Sequence, residues 1–514
     1  MTRPLLLTVL VGVAAAAAGC DSALNPEPFG IETIENQLAT PEGAVVFVNS
    51  LYQPLPGLYG SFGAPMATIL ETGTDDGWPF AQQFGGYKSR EIDSSTGQLS
   101  NIYENSFDGI ARANIYLARE GAIDFTGREA LGNQLRGEAR FLRAFYYFNL
   151  VRLFGDVALY TEPALTPLEG QKPRSATAEV YAQIKADLQA AADLLPAAYT
   201  GSGLAGERGR ATSGAARAVL GKVHLTLEEW QSVLDVTAPI SGYSLRPNYV
   251  DNFYGLILST AGENRVESMF EVQFSAQGPG PKSQLRVSYT PRQVRDGQNQ
   301  IMPTDNNYLR SEVGAYGENA LAQAFEAGDA RAAVTLDKFG ATRVPVTTTY
   351  PVRDAAGNVV TNPDGSPKLQ RELFVRKWYS DVGNQETAWN IPLFRYAEVL
   401  LMRAEAFAEL GQTANAVPLV NQVRQRAGLA PLAADVDVVQ AVRRERRTEL
   451  AFEHKRLFDL NRWGILPQAL ALQGVQIDPT KVTSHPITRK PQVLYPMPDI
   501  ELQRNPNATQ NPGY

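Results

Sequence analysis

The 514-residue sequence holds a single cysteine, Cys20, and only three histidines. Since the one thiol stands near the amino terminus, no disulfide can brace the chain, and a large packed core has to stabilise it. His224, His454 and His485 are far apart, and none has the spacing of a metal site. We therefore expect neither a metal centre nor a bound cofactor.

Long apolar runs are also scarce. The most apolar run, residues 5–18, is shorter than the roughly 20 residues that a transmembrane helix needs. It follows Arg3 and ends in small residues before Cys20, which is typical of a secretory signal. A lone cysteine at this place resembles the lipobox of a bacterial lipoprotein, in which the thiol is acylated. We expect a signal peptide over 1–19 and a lipid on Cys20; an ordinary signal with an incidental cysteine is the alternative.

A strong positive charge is missing as well. The net charge is −7, which argues against nucleic acid or anionic lipid as the main partner. The basic run at residues 443–447 is interleaved with Glu445, Glu449, Glu453 and Asp459 at three- and four-residue spacing. We interpret it as a set of intrahelical ion pairs on a partly buried helix face.

Apolar residues at helical spacing predict a helical frame over about 104–230 and 390–463. Between these parts, at about 240–390, clusters of Pro, Gly and Asn alternate with β-branched residues, which predicts loops and short strands. Residues 20–40 are polar and are predicted to be a tether. The expected fold is mainly α, with helix pairs and a loop-rich insertion in one domain over 41–514.

Individual helix boundaries follow from local signals. Thr40 and Pro41 form a cap and a first turn, Gly155 ends a long helix predicted over 128–154, and Gly221 should let another helix approach closely. Nearer the carboxyl terminus, three helices are predicted over 392–410, 414–427 and 438–463. Short links between amphipathic helices predict antiparallel neighbours. Residues 58–98 show no helical period and are predicted to be irregular.

Several segments form a joint signature. They are GEARFLRAFYYF at 137–148 with LFGDV at 153–157, RYAEVLLMRAEA at 395–406, RERRTELAFE at 444–453 with RLFDLNRW at 456–463, and YPMP at 495–498 with the ending NPNATQNPGY at 505–514. Together with the lipobox they resemble the SusD/RagB family of outer-membrane nutrient-binding lipoproteins. The matching pieces run in the family's order over the whole mature chain.

The resemblance implies four tetratricopeptide-like helix pairs in a right-handed scaffold, with an irregular region packed against it. It also implies a function: a lid on a TonB-dependent outer-membrane barrel that captures a glycan or another oligomeric nutrient and hinges to deliver it. Two alternatives stay open, a lipid-anchored scaffold that assembles envelope proteins and a surface hydrolase. The scaffold needs a broad exposed groove on the helices, and the hydrolase needs a paired acid and base in one cleft.

Candidate binding residues lie in the irregular segments. Asp75, Asp76, Trp78, Phe80 and Tyr87 bring acids and aromatic rings together on a glycine-rich stretch with no helical face to bury them. Aromatic faces stack on sugar C–H surfaces while carboxylates bind hydroxyls, so this mixture suits a glycan. The alternative is that Trp78 and Phe80 only pin the loop to the scaffold. The central stretch adds four further candidates, Tyr289, Arg292, Asn306 and Tyr308.

Signatures of catalysis are lacking. Gly214 and Gly221 are followed by Lys222, but six residues separate the two glycines where a phosphate loop has four, and Val223 replaces the required Ser or Thr. The chain has no Gly-x-Ser-x-Gly elbow. Adjacent carboxylates such as Asp75 and Asp76 rarely flank one glycosidic bond. We therefore expect a binding protein and not an enzyme.

Overall fold

A computed structural model describes residues 33–60, 64–77, 85–199, 201, 204–253 and 388–514 apart from 434, together with short segments between 263 and 378. The predicted signal peptide, Cys20 and most of the predicted tether lie outside the described residues. Within the described chain, no helix is both long and apolar enough to cross a membrane.

Helices dominate the described chain. In chain order they are α1 (Ile34–Gln37), α2 (Pro41–Ser50), α3 (Pro54–Tyr59), α4 (Pro65–Thr72), α5 (Gly85–Ser89), α6 (Gly97–Arg119), α7 (Glu129–Phe154), α8 (Thr177–Leu194), α9 (Ser213–Thr226), α10 (Trp230–Thr237), α11 (Leu321–Ala324), α12 (Ala332–Thr335), α13 (Tyr396–Glu409), α14 (Thr413–Arg426), α15 (Val438–Glu449), α16 (Arg456–Arg462), α17 (Leu466–Ala471) and α18 (Asp499–Arg504).

The strands are short and mostly lie in the predicted insertion. They are β1 (Ser268–Val272), β2 (Arg292–Arg295), β3 (Ile301–Thr304), β4 (Ser311–Val313), β5 (Leu336–Asp337), β6 (Tyr350–Pro351), β7 (Leu369–Val375), β8 (Ile391–Arg395), β9 (Val482–Ser484) and β10 (Pro491–Val493). All pairings are antiparallel: β1 with β8, β2 with β3, β9 with β10, and β7 with β4, β5 and β6. The mainly helical class with short strands in the insertion is confirmed.

The helices pack on one another largely in chain order. Helix α6 packs on α7, α7 on α8, α8 on α9 and α9 on α10; α10 then contacts α13, which packs on both α14 and α15. Helix α7 lies in the interior, since every residue of its segment from Phe141 to Val151 is buried. The Phe141 ring meets Phe270 of β1 edge-on, with the ring centres 4.8 Å apart. The row therefore holds the β1–β8 pair against its core.

Several predicted boundaries are confirmed by their caps. Thr40 Oγ1 accepts a hydrogen bond from the Gly43 N–H at 3.1 Å, and α2 begins at Pro41. Helix α7 ends before Gly155, whose φ of +72° is open to glycine at little cost. The close approach at Gly221 is also confirmed, because a Cβ there would lie 2.7 Å from the Thr237 methyl of α10.

Other boundaries were predicted wrongly where tertiary contacts decide them. The helix predicted over 392–410 begins only at Tyr396, because residues Ile391–Arg395 pair with β1 as β8. The helix predicted over 438–463 divides into α15 and α16, with Phe452 and His454 in left-handed backbone between them. The carbonyl groups freed at the break accept hydrogen bonds from Lys377, whose ammonium group lies 2.7 Å from Ala451 O.

Two further boundaries of the amino-terminal part are corrected. The stretch at 58–98 contains α4, which shows no amphipathic period because all eight of its residues are buried. The predicted tether at 20–40 ends in structured chain: Thr33 caps α1, Leu38 is buried, and Arg119 of α6 forms an ion pair with Glu35 at 3.0 Å. The folded body therefore includes residues from 33 onwards.

The basic run at 443–447 has a structural role, but its pairs are mostly tertiary. Arg446 binds Asp459 of α16 across the helix break, with contacts of 2.9–3.1 Å. Glu449 accepts hydrogen bonds from Arg395 at the end of β8 and from Arg426 at the end of α14. One intrahelical ion pair at the expected spacing does form, between Asp459 and Arg462 three residues later in α16. Buried charges thus join elements that are far apart in sequence.

Candidate functional site

Residues 78–84, which we call the aromatic segment because they include Trp78, Phe80 and Phe84, lie outside the described residues. The chain on both sides of the segment is described. The Lys88 ammonium group of α5 donates a hydrogen bond to Gly77 O at 2.9 Å, so the two ends of the segment lie side by side. This bond fixes the described residues on the two sides of the segment relative to each other.

The amino-terminal end of the aromatic segment is fixed by buried ion pairs. Asp75 accepts two hydrogen bonds from Arg456 of α16, at 2.8 and 2.7 Å, and Asp76 accepts one from Arg447 of α15 at 2.7 Å. Burial opposes ionisation of Asp75, but the Arg456 and Arg447 charges outweigh it and lower the pKa of this carboxyl. The two carboxylates thus bind residues 75–76 to α15 and α16.

Further hydrogen bonds hold the chain on both sides of the aromatic segment. The Gln473 amide donates to Asp75 O at 2.5 Å, and Glu71 of α4 accepts from the backbone N–H of His454 at 2.7 Å. On the other side of the segment, the Tyr87 hydroxyl donates to Gln98 Oε1 of α6 at 2.6 Å. Polar side chains from α4, α5, α6 and the region around α16 therefore hold the described residues on both sides of the aromatic segment.

A cleft of about 390 Å³ lies elsewhere on the same helical row, and sequence reasoning missed it. It lies between α6, the loop at 160–170 and α18; we call it the α6–α18 cleft. Its aromatic lining comes from Tyr103, Phe107 and Tyr160. Glutamates from all three walls, together with Arg504, add polar groups: Glu104, Glu162 and Glu501. These residues are up to 400 positions apart in sequence, so no spacing pattern links them.

The carboxyl-terminal tail fixes the walls of this cleft. The Asn505 amide donates to Lys172 O at 2.7 Å, and the Asn507 amide donates to Gln171 O at 2.6 Å. Asn511 donates to Phe154 O, the last carbonyl of α7, at 3.0 Å. The asparagine-rich ending therefore joins α18 to α7 and to residues 171–172, which follow the 160–170 loop. We call these three asparagines the asparagine clasp.

Comparison with known proteins identifies the family. A model described as "SusD family" matches residues 324–514, and one described as "Starch-binding associating with outer membrane" matches residues 76–225. The SusD-like protein P25 of Formosa agariphila is 28% identical, over 96% of this chain and 96% of its own. This chain belongs to the SusD/RagB family.

Solved SusD-like structures agree with the fold. A laminarin-binding SusD-like protein aligns with a TM-score of 0.68 and 26% identity, over 92% of this chain and 99% of its own. A SusD-like protein from Bacteroides fragilis aligns with a TM-score of 0.69 and 24% identity, over 94% of this chain and 99% of its own. The helical row and its insertion are therefore the arrangement of SusD-like proteins.

The structure places three of the predicted site residues of this SusD/RagB member in the interior. Asp75, Asp76 and Tyr87 are 6%, 2% and 3% exposed. Arg456 binds Asp75, Arg447 binds Asp76 through Oδ1, and the Tyr87 hydroxyl donates to Gln98, so these side chains belong to the interior and not to an open surface. They fix the ends of the aromatic segment instead. The burial was not visible in the sequence because the paired arginines lie some 370–380 residues away.

The remaining predicted residues are not tested by the geometry. Trp78, Phe80, Tyr289, Asn306 and Tyr308 lie outside the described residues, and Arg292 is described only as the first residue of β2. Among the described side chains, no group of three His, Cys, Asp or Glu residues could hold a metal ion.

Proposed function

We propose that this SusD/RagB member is an outer-membrane lipoprotein that captures an oligosaccharide and delivers it to a TonB-dependent barrel transporter. Carbohydrate is the ligand class that the comparisons support: one related structure is that of a laminarin-binding SusD-like protein, and the "Starch-binding protein SusD" of Bacteroides thetaiotaomicron is 32% identical over 128 residues. That match spans 24% of this chain and 22% of the relative.

The observation that carries the proposal is that the chain is held on both sides of the aromatic segment. Lys88 is bonded to Gly77 O, and Asp76 and Asp75 are bound to α15 and α16. A binding segment between fixed ends has less freedom to lose when a ligand binds. Trp78, Phe80 and Phe84 would then supply rings that stack on sugar faces. This arrangement favours binding, and we infer no catalytic step.

The attachment to the membrane rests on the amino terminus. We infer that Cys20 carries the lipid and that residues 21–32, which precede Thr33 and α1, connect it to the body. A single acyl chain binds membranes only marginally, so more than one chain would be needed for a durable anchor. The protein then faces the cell exterior beside its transporter.

Replacing Trp78 and Phe80 together by alanine is expected to weaken binding of a starch or laminarin fragment at least about 10-fold. Burying one large apolar side chain is worth roughly 1.5–3 kcal/mol, and 1.4 kcal/mol corresponds to a tenfold change in Kd. Titration calorimetry with the soluble chain lacking residues 1–19 measures the loss.

The matched control is Leu472→Ala, which truncates an exposed apolar side chain at the end of α17. We expect its Kd to match that of the unmodified protein within about twofold. Equal Kd values for the Trp78→Ala/Phe80→Ala protein and the unmodified protein would show that the aromatic segment is not the binding surface. Absence of binding to starch, laminarin and a broader set of glycans would overturn carbohydrate as the ligand class.

A further inference from the structure

We propose that the α6–α18 cleft is a second carbohydrate-binding site, in addition to the one proposed at the aromatic segment, and that it is large enough for a short oligosaccharide. The inference rests on the proposed function for the class of ligand, and on the geometry of the cleft for its place. Its volume of about 390 Å³ falls within the range of small-molecule sites in proteins, roughly 300–1,000 Å³.

The floor of the cleft is aromatic. Phe107 is half-buried and packs against Tyr103, with the ring centres 4.7 Å apart, and it meets Tyr160 edge-on at 5.9 Å. The Lys172 ammonium group lies 5.1 Å from the centre of the Tyr160 ring and so covers part of it. Phe107 is therefore the ring best placed to meet the apolar face of a sugar.

A buried tyrosine hydroxyl in the cleft lies beside a carboxyl group. Tyr103 is 4% exposed, and burial together with the neighbouring Glu501 raises the pKa of the Tyr103 hydroxyl. The hydroxyl and the carboxyl group, which both line the cleft, offer hydrogen-bonding groups to a sugar hydroxyl.

The rim offers both kinds of hydrogen-bonding group that a polyol needs. Carboxylates of Glu104, Glu162 and Glu501 accept, and the guanidinium group of Arg504 donates. Arg504 and Glu104 lie 3.4 Å apart and are largely exposed, so their pair is weak and can open to a ligand. Burial raises the pKa of the Glu501 carboxyl, whose Oε1 accepts a hydrogen bond from the Asn505 amide at 2.7 Å.

The walls are held in place without a ligand. The Asn114 amide of α6 donates to Tyr160 O at 2.9 Å and to Glu162 O at 3.3 Å, so α6 is bonded to the 160–170 loop. The Gln171 amide donates to Arg504 O at 3.1 Å and bonds the end of this loop to α18. With the asparagine clasp, these bonds preform the cleft and reduce the entropy lost on binding.

The charges at the mouth favour a neutral ligand over a cationic one. Three carboxylates and three aromatic rings would also suit an ammonium group. Two cations already occupy this region, however, since Lys172 lies over Tyr160 and Arg504 pairs with Glu104. A polyol uses the acceptors and the donor together, whereas a cation would have to displace Lys172 from Tyr160 or Arg504 from Glu104.

The test fills the cleft with a large side chain introduced at an exposed residue that lines it. Ala111 of α6 lines it, and Ala111→Trp would occupy the space without removing a hydrogen bond. Ala118→Trp is the matched control, because Ala118 is exposed on the same helix and does not line the cleft. Both changes are made in the Trp78→Ala/Phe80→Ala protein, and binding of maltotriose and laminaritriose is measured by titration calorimetry and saturation-transfer NMR.

We expect the Trp78→Ala/Phe80→Ala protein to keep residual binding of one of these trisaccharides. Adding Ala111→Trp should weaken that binding at least about 10-fold, and adding Ala118→Trp should change it less than about twofold. No residual binding, or equal effects of the two tryptophans, would overturn the second site while leaving the proposed function intact. A protein in which Ala111→Trp spares sugar binding but abolishes copurification with a barrel would assign the cleft to a protein partner instead. If the unmodified chain binds no saccharide, both proposals fail.

Discussion

Replacing Arg395 by glutamine is expected to lower the free energy of unfolding by about 3–5 kcal/mol, since this is the cost of removing one partner from a buried ion pair. Arg395 is 1% exposed, and its guanidinium group donates to Glu267, Glu449 and Glu453 at 2.5–2.9 Å. Without it, three buried carboxylates lose a shared positive partner. Urea unfolding followed by circular dichroism measures the change.

Arg128→Gln provides the matched control. Arg128 also binds a glutamate, Glu42, but the two side chains are 50% and 58% exposed. Pairs of this kind contribute about 1 kcal/mol or less because water screens them. Equal destabilisation by the two variants would contradict the view that the buried charges hold β8, α14 and α15 together.

Acidification from pH 5 to pH 2 is expected to remove much of the protein's stability. Burial opposes ionisation of Glu449, yet Arg426, Arg395 and Arg331 outweigh it and lower its pKa to about 2. Lys455, Lys222 and Arg446 likewise lower the pKa of Glu398 to about 2 against the effect of burial. An unfolded glutamate titrates near pH 4.3, and one pKa unit is worth about 1.4 kcal/mol.

Acid lowers the free energy of unfolding because folding lowers the pKa values of Glu449 and Glu398. Both carboxylates bind protons more weakly in the folded protein, so their contribution is complete above about pH 4.3 and falls as the pH approaches 2. Each group contributes on the order of 3 kcal/mol. The urea midpoint, measured at intervals between pH 7 and pH 2.5, should therefore decline steeply below about pH 4.5. A midpoint that stays constant down to pH 3 would contradict the assignment of these ion pairs.

Local signals in the sequence were sufficient where a helix has one buried face and recognisable ends. The cap at Thr40, the end of α7 at Gly155 and the close packing at Gly221 all follow from neighbouring residues and were predicted correctly. Helix α4 was missed because burial on all sides removes the polar face that produces a period. The division between α15 and α16 was missed because distant partners, Lys377 among them, stabilise the break.

The candidate site was harder to predict for a related reason. Acids next to aromatic residues in an irregular stretch look like a ligand surface, but Asp75 and Asp76 are buried by arginines of α15 and α16. Those arginines are separated from the acids by most of the chain, so only the fold reveals the pairing. The α6–α18 cleft has the same character, since Phe107, Tyr160 and Glu501 converge from three distant segments.

Delivery to a transporter is the central claim, and isolating the native protein from its own envelope in mild detergent tests it most directly. The proposed function needs a channel through which the captured oligosaccharide moves inward, and a TonB-dependent barrel would supply it. We predict that the full-length protein, tagged at its carboxyl terminus, is recovered with a large β-barrel protein in equal numbers, as mass spectrometry and native electrophoresis of the complex would show. Recovery of the tagged protein only as a free monomer would contradict the account.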